Sequence, residues 1–86
     1  MYLHLGGDVL IKKDEIVTII DLDITKISQT NQVFLDKMKN HYKNIYYISD
    51  KGKEKTLIVT IKDLYFSPIS SITLFRRSFT EIGNES

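Results

Sequence analysis

Residues 56–62, Thr-Leu-Ile-Val-Thr-Ile-Lys, carry apolar side chains on both sides of an extended segment. Successive side chains of a strand point to opposite faces, so Leu57, Val59 and Ile61 share one face while Ile58 and Thr60 share the other. A strand that is apolar on both faces needs cover on both, which makes 56–62 a central strand. A chain of 86 residues has little material to supply that cover and is marginally stable alone. It contains no cysteine, so disulfides and thiolate metal sites are excluded as aids. His4 and His41 have no companions at ligand spacing, so no metal is expected. Self-association is the remaining route to stability, and a homo-oligomer is expected.

The rest of the chain supplies partners for that strand. Tyr2–Leu5 and Val9–Lys12 read as short strands joined by a turn at Gly6-Gly7. Lys12-Lys13-Asp14-Glu15 turns the chain again, and Ile16–Leu22 is β-branched and reads as a buried strand. Ser28 is placed to cap a helix running to about Tyr42, with Phe34, Leu35, Met38 and Tyr42 as its apolar stripe. Lys37, Lys39 and Lys43 mark the solvated side of that helix. Ile45–Ser49 reads as a strand, and Asp50-Lys51-Gly52-Lys53 as a hairpin turn into 56–62. Leu64–Phe66 extends or bulges the central strand. Ser67-Pro68 then opens a last helix with an apolar stripe of Ile69, Ile72, Phe75 and Phe79. The pattern predicts one small α+β domain over 1–82, with a mixed or antiparallel sheet and two helices, and a polar tail at 83–86.

The composition limits the function classes. The chain is 42% hydrophobic and 27% charged, which suits an ordered globular protein. No apolar run approaches the ~20 residues that span a bilayer. The opening MYLHLGGDVL lacks a basic start followed by an apolar core, so neither a signal peptide nor membrane attachment is expected and the cytoplasm is the expected location. The net charge of +1 is far from the strong positive balance typical of DNA-binding domains, so any nucleic-acid surface must come from local clustering. Asp21 and Asp23 alternate with Leu22 and Ile24, as at a strand end pointing carboxylates at solvent. No histidine, cysteine or glycine-rich phosphate loop accompanies them, so neither enzyme activity nor a cofactor is expected.

Two basic groups remain as candidates. Lys51, Lys53 and Lys55 lie within five residues of the turn and are suited to phosphate contacts, or simply to keeping a sheet end soluble. Arg76 and Arg77 stand at the end of the final helix, suited to phosphate, to a neighbouring subunit's carboxylate, to the helix dipole, or to a pair between Arg77 and Glu81. Lys12 and Lys13 sit beside Asp14 and Glu15 and read as a solvated turn, and His4 reads as a partnered structural histidine. Tyr46, Tyr47, Tyr65 and Phe66 offer a stacking platform for single strands, although strand aromatics more often pack across strands.

Three segments resemble the extracellular matrix regulatory proteins, in particular their B branch: the opening MYLHLGGDVLIKKDEIVTIIDL, the helical Val33-Phe34-Leu35, and LIVTIKDLYFSPISSITLFRR at 57–77. The resemblance spans nearly the whole chain, and the SPISSITLFRR block is its most specific part. It implies control of bacterial biofilm matrix genes. The A branch is similar to an atypical DNA-binding protein that assembles into rings and presents basic residues to DNA, with an arginine pair in the turn before its central strand. Here that turn reads Lys51-Gly52-Lys53-Glu54-Lys55; lysine is a point charge without arginine's two-pronged donor geometry, and Glu54 offsets one charge. The resemblance therefore implies an oligomeric transcription regulator that contacts duplex DNA through Lys51, Lys53, Lys55, Arg76 and Arg77. The alternative is an oligomeric protein-interaction module that touches no DNA.

Overall fold

The computed structural model describes residues 1–25 and 29–85. Strands β1 (Tyr2–Gly6) and β2 (Val9–Lys12) form an antiparallel ribbon, followed by a 3-10 turn at Lys13–Glu15 and strand β3 (Ile16–Asp21). A single helical turn, α1 (Leu22–Thr25), precedes helix α2 (Gln29–His41). Strands β4 (Asn44–Tyr47), β5 (Thr56–Thr60) and β6 (Asp63–Ser67) lead to helix α3 (Ser71–Glu85). The four-stranded sheet has the order β3-β5-β6-β4, with β4 parallel to β6 and the other pairs antiparallel. The protein is α+β with a mixed sheet, as its pattern predicts.

Strand β5 is buried at every residue, and both of its faces are covered from within the chain. Leu57 and Val59 meet Leu22, Leu35, Leu64 and Phe66, with Met38 and Tyr42 packed alongside, so α2 covers this side. Ile58 meets Leu3, Leu5, Ile11 and Leu74, so the β1–β2 ribbon and α3 cover the other. The two-sided strand therefore does not by itself require a partner subunit. Gly6, at φ +113°, lets the ribbon turn close against the sheet: a Cβ there would lie 3.4 Å from side-chain atoms of both Ile48 and Ile69.

Several boundaries differ from the pattern, each for a local reason. The segment after β5 does not extend it but reverses: the Thr60 hydroxyl donates to Asp63 O (2.9 Å) and accepts from Asp63 N–H (2.8 Å), closing a turn without glycine or proline. Ile61 falls in that turn and is 72% exposed. Ser67 ends β6 instead of capping a helix. Its fully buried hydroxyl donates to Leu5 O (2.6 Å) and accepts from Ile69 N–H (3.0 Å). The cap of α3 is Ser70, whose hydroxyl accepts from Thr73 N–H (3.2 Å). Leu22 and Asp23 belong to a helical turn, with the Asp21 carboxylate accepting from Asp23 N–H (2.9 Å). The expected cap Ser28 lies outside the described residues. Residues expected to start a polar tail continue α3 to Glu85.

The apolar stripe of α2 holds at Leu35, Met38 and Tyr42, while that of α3 shifts in phase. In α2, Leu35 is buried, but Phe34 is 47% exposed. In α3, Leu74 is fully buried while Ile72 and Phe75 of the expected stripe are exposed. Ile69 joins the core from the segment before α3, and the side chain of Phe79 lies outside the described residues.

Candidate nucleic-acid interface

The turn bearing Lys51, Lys53 and Lys55 is not a hairpin, because β6 lies between β4 and β5. Residues 48–55 instead cross the C-terminal end of β6. Ile48 N–H donates to Phe66 O (2.9 Å) on one side and Lys55 N–H to Ser67 O (2.9 Å) on the other. Lys55 O also accepts from Leu22 N–H (3.0 Å), so both feet of the crossing are tied to the sheet and to α1. At the tip Lys53 N–H donates to Asp50 O (3.1 Å), and Gly52 takes φ +90° with open space where a Cβ would be. That positive φ is the conformation a turn of this type requires at its third position.

Lys51, Lys53 and Lys55 are all exposed, and none has a hydrogen-bonding or ion-pair partner among the described residues. Glu54 is half-buried and pairs with none of them. It lines a cleft with Lys39, Tyr47, Ser49 and Lys51. The segment 50–55 sets three lysines against Asp50 and Glu54, a net +1 on a backbone pinned at both ends.

The arginine pair is divided. Arg76 is exposed, whereas Arg77 is half-buried and its guanidinium Nη1 donates to His4 O in β1 (3.1 Å). Neither ends the helix, since α3 runs on to Glu85, so the C-terminal dipole has no part in their role. Glu81, the expected partner of Arg77, has its side chain outside the described residues. Lys13 also does more than solvate a turn: its ammonium donates to Ser78 O (2.7 Å), tying the 3-10 turn to α3. His4 is the partnered histidine expected, with Nε2 2.7 Å from Gly7 O.

The strand aromatics pack across strands as expected. Tyr46 stacks on Tyr65 (5.1 Å between centroids) and Tyr47 on Phe66 (4.8 Å, 6° between planes). Burial raises the pKa of the Tyr65 phenol above its usual value of 10.0, with the negative charge of Asp63 adding to the effect. The outer faces of Tyr46 and Tyr47 remain exposed on edge strand β4. Lys39, read as a solvated helix residue, instead lies with Nζ 5.2 Å from the Phe66 ring centroid. Its position four residues after Leu35, on the flank of the buried side, was the available signal.

Residues 2–77 match the family described as extracellular matrix regulatory protein A-like. The chain belongs to that family. It is also 36% identical over 78 residues to extracellular matrix regulatory protein B of Bacillus subtilis (strain 168), an alignment covering 91% of this chain and 90% of that protein. Within the matched span, the SPISSITLFRR block performs structural work: Ser67 joins β6 to β1, Ser70 caps α3, Leu74 fills the core and Arg77 braces β1. No helix among the described residues is long and apolar enough to cross a membrane.

Proposed function

We propose that this member of the family is a non-enzymatic, cytoplasmic transcription regulator of bacterial matrix genes that binds duplex DNA as a homo-oligomer. The observation that carries the reading is the anchored tip at 50–55, which holds Lys51, Lys53 and Lys55 exposed and without partners among the described residues. Phosphate contacts supply most sequence-independent affinity for DNA, and exposed lysines on a fixed backbone suit them. Arg76 is exposed on α3 and has no partner among the described residues. Arg77 serves β1 first.

Self-association is supported by the outward side of α3. Ile72 and Phe75 are 64% and 49% exposed and lie at i, i+3 spacing, so they share one helix face. One subunit carries a net +1, enough for two or three phosphate contacts at best through the tip. An oligomer repeats the tip, and linked contacts gain from effective concentration.

The test is a titration of duplex DNA at several salt concentrations. The logarithm of the binding constant should fall with the logarithm of salt, with a slope of about −0.9 per phosphate neutralised. Changing Lys51, Lys53 and Lys55 together to alanine should weaken binding to all sequences alike and flatten that slope. Absence of DNA retardation by the wild-type oligomer at low salt refutes the reading. It would leave the protein-interaction module, which the near-neutral charge and the exposed Ile72 and Phe75 favour.

A further inference from the structure

We propose that the cleft between α2 and the 48–55 crossing binds a mononucleotide, with its base against Tyr47 and its phosphate between Lys39 and Lys51. The cleft encloses roughly 380 Å³ and is lined by Lys39, Tyr47, Ser49, Lys51 and Glu54. It adjoins a smaller recess of roughly 130 Å³ whose lining includes Leu35 and Phe66 and which shares Lys39, Tyr47 and Glu54 with it. The larger space lies within the range that ligand sites of small molecules occupy.

Three chemistries meet there. Tyr47 is an aromatic ring held flat by its stack on Phe66 at 4.8 Å, and it is 54% exposed, which leaves ring surface for a second stack. A base supplies such a π-face whatever its identity. Lys39 and Lys51 approach the cleft from α2 and from the tip; Lys39 lies over the Phe66 ring, and neither forms a salt bridge or hydrogen bond among the described residues. Glu54 is half-buried and also lacks a partner among them. A bare anion would be repelled by Glu54, and an uncharged aromatic would leave both lysines unused. A nucleotide satisfies all of them: base on Tyr47, phosphate on the lysines, and ribose hydroxyls donating to the Glu54 carboxylate. Duplex DNA does not supply this combination, because its bases are stacked internally.

The site overlaps the DNA reading at Lys51 alone, since Lys53 and Lys55 do not line the larger cleft. Titration calorimetry of the whole protein with AMP, adenosine, inorganic phosphate and a single-stranded octanucleotide tests it. AMP should bind at least tenfold more tightly than adenosine or phosphate. Tyr47→Ala should weaken AMP about tenfold, the scale of one lost stack, while Tyr47→Phe should bind as wild type. Lys39→Gln and Lys51→Gln should each weaken AMP and leave adenosine unchanged, and the double change Lys53→Ala with Lys55→Ala should leave AMP binding intact. No heat with millimolar AMP overturns the proposal, as does phosphate binding as well as AMP. An octanucleotide that binds far more tightly per nucleotide than AMP, with the same Tyr47 dependence, also overturns it and assigns the cleft to a strand. Tyr47→Phe and Lys39→Gln keep the test decisive if Tyr47→Ala does not fold.

Discussion

Replacing Ser67 with alanine removes one oxygen and leaves two backbone groups without partners. The Ser67 hydroxyl is fully buried, donating to Leu5 O at 2.6 Å and accepting from Ile69 N–H at 3.0 Å. It links the β1–β2 ribbon to the end of β6 and the approach to α3, across 62 residues of sequence. An orphaned buried donor or acceptor costs about 1–3 kcal/mol. Leu5 is fully buried and belongs near the upper end, whereas the bond to Ile69 is only partly buried and belongs near the lower. The expected total is about 4 kcal/mol, a large part of the stability of a domain this small. At roughly 4–8 °C per kcal/mol for such a chain, Tm should fall by about 16–32 °C. Urea unfolding at fixed protein concentration measures the loss, and an unchanged m-value shows that the extent of unfolding is the same. A loss below about 0.5 kcal/mol, the range of ordinary surface substitutions, would refute the claim that this hydroxyl joins the layers.

Gly6→Ala should destabilise by about 1–3 kcal/mol in the same assay, because φ +113° strains any side chain and the new Cβ meets Ile48 and Ile69 at 3.4 Å. Tyr65 should ionise above the usual tyrosine value of 10.0 in an ultraviolet pH titration, since burial and Asp63 both raise its pKa. A raised folded pKa contributes stability that is complete below the unfolded pKa of 10.0 and is lost as pH climbs through the folded value, so Tyr65→Phe should remove that part of the alkaline loss. Ile72→Asp with Phe75→Asp should shift the protein toward monomer in light scattering while leaving its circular dichroism intact, because both side chains already face solvent.

The legible parts of the fold were those with a strong local period. β5 shows its burial on both faces through its β-branched and aliphatic run, and the Gly6-Gly7 and Gly52 turns through glycines that take positive φ. The illegible parts depend on hydroxyl chemistry or on partners far along the chain. Thr60 closes a turn that contains no turn residue, and Ser67 beside Pro68 carries a helix-start signature while its hydroxyl is committed to Leu5, 62 residues away. The phase of α3 was ambiguous because apolar residues occur on more than one side of it, and the core takes Leu74 in place of the 72–75 stripe. Among site residues, the lysine tip was legible as a charge cluster. Its anchoring across β6 was not, because the order β3-β5-β6-β4 separates two strands that follow each other in sequence.

The arginine pair shows how adjacent charges in one motif take different tasks. In a helix, neighbouring residues point about 100° apart, so only one of Arg76 and Arg77 can face the same surface as Leu74. Arg77 lies three residues after Leu74, on its side of α3, and its guanidinium reaches His4 O while Leu74 meets Leu3 and Leu5. Arg76 is turned outward. The same separation runs through the matched span: Ser67, Ser70, Leu74 and Arg77 hold the ribbon, sheet and α3 together, while 50–55 is tied to the sheet by backbone hydrogen bonds, with its lysine side chains lacking partners among the described residues. Substitutions at Ser67, Ser70, Leu74 and Arg77 therefore act on the scaffold, and those at 51–55 act on what the scaffold presents. On the proposed reading, Lys51, Lys53 and Lys55 would offer charge to phosphate without arginine's bidentate geometry, so binding would depend on charge number and salt more than on any one contact.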